Sequence, residues 1–165
     1  MAIKKTQRGF ALLIAIIFMS VMLSFGLALG SIGYKQQILA SAAVESQYAF
    51  YAADAALECA LYADQQQNSF DFSSHDATTH PNVITCDGVP ATELSYTYTI
   101  GVQLVVSERL SLDSNRRCAD VTVYKPAPGT GVTYIFSQGY DVPCTTVSSP
   151  PTGARFVARG ISAHY

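Results

Sequence analysis

Residues 10–34 contain no Asp, Glu, Lys or Arg, and that absence limits what the chain can be. A helix needs about 20 predominantly apolar residues to cross a hydrocarbon core of about 30 Å, and this run is longer. Three basic residues, Lys4, Lys5 and Arg8, precede it. Positive charge is retained on the cytoplasmic side, so the C-terminal portion is expected to face outward. A secretory signal peptide would show a short apolar stretch with a small-residue cleavage site at its far end. Here the stretch is long and passes into a helical pattern, and the conspicuous junction, Arg8-Gly9-Phe10, stands before it.

The helix is expected to start at Phe10 and to continue to about residue 64. Gly26, Gly30 and Gly33 weaken its first half, because glycine costs roughly 1 kcal/mol against alanine in a helix interior. Small residues also let helices approach closely, and Gly26-x-x-x-Gly30 has that spacing. Farther on, Val44, Tyr48, Tyr51, Ala55, Cys59 and Tyr62 recur at helical spacing, while Phe50, Leu57 and Leu61 form a second stripe. A helix apolar on two sides must cover both. One stripe is expected against the chain's own sheet and the other against a surface outside the chain; the ordinary alternative, a single amphipathic core helix, explains one stripe and leaves the second exposed.

Residues 65–82 are polar and lack apolar periodicity, which predicts a loop. His75, Asp76 and His80 in it read as solvated side chains rather than metal ligands, and no metal or cofactor is expected. Beyond the loop, residues 94–106, 119–124, 133–137 and 155–165 alternate as strands. Turns bearing Pro and Gly at 125–131 and 148–151 separate them. The fold class is therefore α+β, a long N-terminal helix packed on a small antiparallel sheet of about four strands. The segment 140–153, with adjacent Pro150 and Pro151, cannot be a central strand.

Cys59, Cys86, Cys118 and Cys144 all follow the apolar run, in the part that would meet an oxidising compartment. Four cysteines allow three pairings. Joining sequence neighbours minimises the closure problem, which favours Cys59 with Cys86 and Cys118 with Cys144, each contributing about 2–4 kcal/mol. The intervening stretches of 26, 31 and 25 residues contain no paired knuckle of the zinc-binding kind. Roughly 100 residues beyond the helix suffice for one modest core, at a size where such reinforcement counts.

The charges suggest one contact and one surface. Asp54 and Glu58 share a helix face, and alternation puts Val157, Arg159, Ile161, Ala163 and Tyr165 on one side of the last strand. That side is expected to face the helix, with Arg159 paired to Glu58, which lies closer to the helix end carrying Cys59, or alternatively to Asp54. Arg109, Arg116 and Arg117 cluster near the 110–115 turn, which is either a solvated turn or a surface contact for an adhesive or nucleic-acid partner. The chain's formal charge is −2, and removing Lys4, Lys5 and Arg8 takes it to −5, so general nucleic-acid binding has little support. No nucleophile elbow, phosphate-cradling loop or His-Glu-x-x-His helix is present, no catalytic residue stands out, and the chain is not expected to be an enzyme.

Lys4-Lys5-Thr6-Gln7-Arg8-Gly9 followed by Phe10-Ala11-Leu12-Leu13-Ile14 resembles the class III leader and N-terminal helix of type IV pilins and pseudopilins. The alanine-rich stretch 49–61, the Ser137-Gln138-Gly139-Tyr140 segment and a terminal strand with Arg155, Arg159 and Tyr165 extend the resemblance. It implies cleavage after Gly9 by a prepilin peptidase, methylation of Phe10, and helix melting near Gly26 to Gly33 in filaments. It also implies partners: other pilin subunits through the N-terminal helix, an inner-membrane assembly platform and the membrane itself. The corresponding regions are a leader (1–9), a transmembrane or filament-core helix (10–34), an outer half-helix (35–66) and an exported head (67–165). The protein would reside in a bacterial inner membrane before assembly and in a surface filament afterwards. Family members usually carry a glutamate five residues after the cut, where this chain has Ile14. A subunit at a filament tip has no neighbour's amine to neutralise, so the resemblance is to a minor pilin. Two alternatives remain open here: a secretion pseudopilin, and a bitopic membrane protein with an extracytoplasmic ligand-binding domain.

Overall fold

The computed structural model describes the backbone of residues 8–74 and 82–165, so most of the leader, and His75, Asp76 and His80, fall outside the described residues. Helix α1 spans Arg8–Gln67 without interruption, through Gly26 and Gly33 as well. By backbone contacts the chain forms two compact units, Met1–Ala42 and Ala43–Tyr165. The second unit contains the end of α1, a short 3-10 turn at Phe72–Ser74, and a two-residue hairpin made of β1 (Thr85–Cys86) and β2 (Val89–Pro90). Then follow β3 (Thr92–Thr99), β4 (Gln103–Leu112), β5 (Arg117–Pro126), β6 (Tyr134–Tyr140), the short helix α2 (Cys144–Ser148) and β7 (Ala158–His164).

Strands β3 to β7 form one antiparallel meander in sequence order. The fold class is α+β as expected, with five strands in the main sheet where the sequence suggested four. The difference lies within 94–106, which is two strands rather than one. Gly101, at φ +69°, supplies the left-handed turn that reverses the chain, closed by the Val102 amide donating to the Thr99 carbonyl at 3.0 Å. Its flanks, Ile100 and Val102, hide that turn within an apolar pattern. The β1–β2 hairpin turns on Asp87-Gly88, both at positive φ, the sequence such a two-residue turn requires.

The sheet packs on an alanine stripe. Ala49, Ala52, Ala53, Ala56, Ala60 and Ala63, with Leu57, are the buried apolar residues of α1. They face Leu104, Val106, Leu110, Val121, Val123 and Ile135. Neither larger stripe read from the sequence covers the sheet as a whole. Tyr48, Tyr51, Tyr62 and Phe50 remain exposed, and of the second stripe Leu57 and Leu61 join the core. Small side chains win this face because the backbones meet there, as the contact at Gly139 described below shows. Both disulfides form as favoured: Cys59–Cys86 ties α1 to the β1–β2 hairpin, and Cys118–Cys144 ties β5 to α2.

Candidate functional site: an uncharged helix and the head locked to it

The uncharged segment of α1 is about 37 Å long at 1.5 Å per residue, more than a bilayer core requires. Its large side chains, from Phe10 through Leu29, are all exposed within the chain. Two of its hydroxyls are internally satisfied: Ser20 Oγ donates to the Ile17 carbonyl and Ser24 Oγ to that of Val21, both at 2.8 Å. Such bonds let a hydroxyl enter an apolar medium at little cost. Beside Gly26, Gly30 and Gly33 no described atom stands within 4 Å of where a β-carbon would be. The helix therefore offers bare backbone on a surface that its own chain leaves uncovered. The junction Gly9-Phe10 lies in its first turns, with Phe10 70% exposed.

On the half of α1 belonging to the head, the flank beside the alanine stripe carries the tyrosine stripe. Tyr48, Tyr51, Ala55 and the Cys59 disulfide wall a shallow groove whose far side is Asp87, Leu112, Asp113 and Arg117. The Arg117 guanidinium lies 4.3 Å over the Tyr48 ring and donates through Nη1 to the Arg116 and Asp141 carbonyls at 3.1 Å. This arrangement holds Tyr48 in place at the edge of the sheet.

Two contacts fix the last strand along the helix. Arg159 does face α1, but its Nε donates to Ser46 Oγ at 2.7 Å, so the expected pairing with Glu58 is not formed. The reason is helical geometry. Glu58 lies roughly opposite the alanine stripe and about 18 Å farther along the axis than Ser46. The carboxylate that does meet the sheet is Asp64. Lys125 Nζ on β5 donates to both its oxygens, at 2.8 and 2.6 Å, and the Tyr165 hydroxyl donates to Oδ2. Asp64 is 3% exposed. Burial first, and then the bond to Asp64, push the Tyr165 phenol well above its ordinary range. From Ser46 to Asp64 the helix rises about 27 Å, while Arg159 to Tyr165 extends about 20 Å, a difference the long side chains span.

The three clustered arginines do not converge. Arg109 lies opposite Asp120 on the sheet face away from α1, held through Nε at 2.6 Å and Nη2 at 2.7 Å, with Nη1 donating to Ser148 Oγ at 2.8 Å. Arg117 sits on the helix side, opposite Leu112. Arg116 pairs locally with Asp113 in the tight turn whose residues Asp113, Ser114 and Asn115 all have positive φ. No single basic patch results, because consecutive strand residues point to opposite faces.

One group that the sequence reading passed over is Glu108, 2% exposed on the helix side of β4. Its Oε2 accepts from the Ile84 amide at 3.1 Å, holding the approach to the β1–β2 hairpin onto the core. Burial raises its carboxyl to about 7, partly offset by that amide and reinforced by Glu93. Its only sequence signal was a charge at an inward position of an alternating strand.

A long apolar N-terminal helix with an antiparallel sheet packed on its second half is a pilin-like architecture, and the helix with two disulfides suggests a membrane or extracytoplasmic location. No protein-family model, characterised protein or solved structure matches the chain.

Proposed function

We propose that this chain is a structural, non-enzymatic subunit of a type IV pilus-like filament, of the minor pilin kind. The observation that carries the reading is the uncharged segment of α1, exposed on every side and opened further by Gly26, Gly30 and Gly33. A surface of that kind is compatible with lipid before assembly and with neighbouring helices afterwards, since its backbone groups stay paired in both. The head leaves a second apolar strip, Tyr48, Tyr51 and Tyr62, free for an adjoining subunit. Ile14 at the fifth position after Gly9 fits a subunit with no neighbour beyond it, at the tip or in priming assembly. Processing would occur between Gly9 and Phe10. Replacing Gly9 by a bulky residue tests the reading: the variant should stay in the membrane fraction, and its normal entry into sheared filaments would refute it.

A further inference from the structure

The main sheet has two faces, and α1 covers one. On the other, the strand register sets Tyr124 opposite Tyr134 and Thr122 opposite Phe136. It also sets Tyr134 opposite His164 and Phe136 opposite Ser162. The rings of Tyr124 and Tyr134 have centroids 5.9 Å apart. Phe136 reaches across β7, its Cζ 2.9 Å and Cε2 3.0 Å from where a β-carbon of Gly160 would stand. The missing side chain at Gly160 is what lets that ring lie over the neighbouring strand. Tyr124, Tyr134 and Phe136 are still 40%, 39% and 36% exposed. The opposite end of this face is occupied by α2, fastened at Cys118 and by Arg109 to Ser148, so the aromatic end is the open one.

The surroundings of the rings specify what could lie on them. Ser107 and Thr122 hydroxyls share a 2.9 Å hydrogen bond, and Ser162 and His164 stand exposed on the neighbouring strand. The arginine of this face, Arg109, is neutralised by two bonds to Asp120, and Lys125, next to Tyr124, is turned to the other face by Asp64. Stacked nucleic-acid bases need a positively charged groove alongside, and this chain is net negative. Aromatic faces beside uncharged hydroxyls instead match a ligand with apolar C–H faces and a hydroxyl rim. Four strands by two rows give an area of about 14 by 7 Å, enough for two or three hexose rings.

We propose that this open end of the sheet, centred on Tyr134 and Phe136, is a stacking platform for a neutral oligosaccharide. The rings cover the C–H faces of the sugars, and the hydroxyls of Ser107, Thr122 and Ser162 bond to their rim. The site does not depend on whether the chain enters a filament.

The test uses the full chain in a zwitterionic detergent free of sugar, applied to an array of neutral and sialylated oligosaccharides and to a (dT)10 oligonucleotide. Retained neutral oligosaccharides are then titrated by tyrosine emission, which is readable because the chain has no Trp. At least one neutral class should bind. Tyr134→Ala should weaken it by about tenfold, whereas Tyr134→Phe and Phe136→Tyr, which keep the stacking surface, should stay within about threefold of the parent. Equal melting temperatures would show that the variants fold. A silent array, undiminished binding by the Tyr134→Ala, Phe136→Ala double variant, tighter retention of (dT)10 than of any saccharide, or a solution dimer that buries the three rings would each overturn the proposal.

Discussion

The α-carbon of Gly139 on β6 lies so close to the carbonyl of Ala49 on α1 that a β-carbon there would overlap it, and would overlap the Ala53 amide as well. Helix and sheet therefore touch backbone to backbone at this point, and the alanines of the buried stripe are the side chains thin enough to continue the contact on either side. Gly139→Ala should push the strand off the helix and destabilise the head by about 3 kcal/mol or more, since the obstruction is backbone that cannot rotate away. Chemical denaturation of the variant measures it. A loss below about 0.5 kcal/mol would mean that the two elements are not this close.

Asp64 and Lys125 form the buried ion pair between helix and sheet. Removing one charge strands the other: Lys125→Met leaves the Asp64 carboxylate beside Tyr165 alone and should cost about 2–4 kcal/mol, with Asp64→Asn similar. The double variant should cost less than the sum of the two, because the charges meet. Additive losses in a double-mutant cycle would deny the contact.

Glu108 gives the head a pH dependence of definite sign. Its folded-state carboxyl is raised from 4.5 to about 7. The folded state thus binds a proton that the unfolded state has released between those values, and stability falls as pH rises through that window. The melting temperature should decline from pH 5 to pH 8, and Glu108→Gln should flatten the decline while stabilising the head at pH 8 by about 1 kcal/mol, the weaker bond of an amide oxygen to the Ile84 amide offsetting the rest. A parent curve that rises across this window would contradict the assignment.

Tyr51 is 63% exposed in the middle of the outward stripe of α1. Tyr51→Glu should leave the stability of the head within about 0.5 kcal/mol, as surface changes do, yet reduce recovery in sheared filaments severalfold by placing a charge in the subunit contact. Normal recovery would locate that contact elsewhere.

The long helix and both disulfides were legible in the sequence, because length, charge absence and spacing can be read directly along the chain. Contacts between distant elements were less so. Arg159 was correctly turned toward the helix by strand alternation, but its partner depends on how far along α1 the strand begins, and that register is set by Gly139 and the alanines. Lys125 stands next to Pro126 at the edge of a Pro- and Gly-bearing turn, so pattern alone gives no sign of its reach to Asp64. The alanine stripe was masked by larger neighbours: volume signals a core in most helices, whereas here closeness of approach decides. The β3–β4 turn was lost for a related reason, Gly101 standing alone between two apolar residues.

The central claim is that the chain is cut after Gly9 and assembled through the helix that begins at Phe10. Mass spectrometry of the N-terminal peptide from the membrane-purified protein tests it most directly. The expected result is a peptide beginning at Phe10 and carrying one added methyl group. A terminus at Met1 or Ala2, with Lys4, Lys5 and Arg8 still attached, would contradict it.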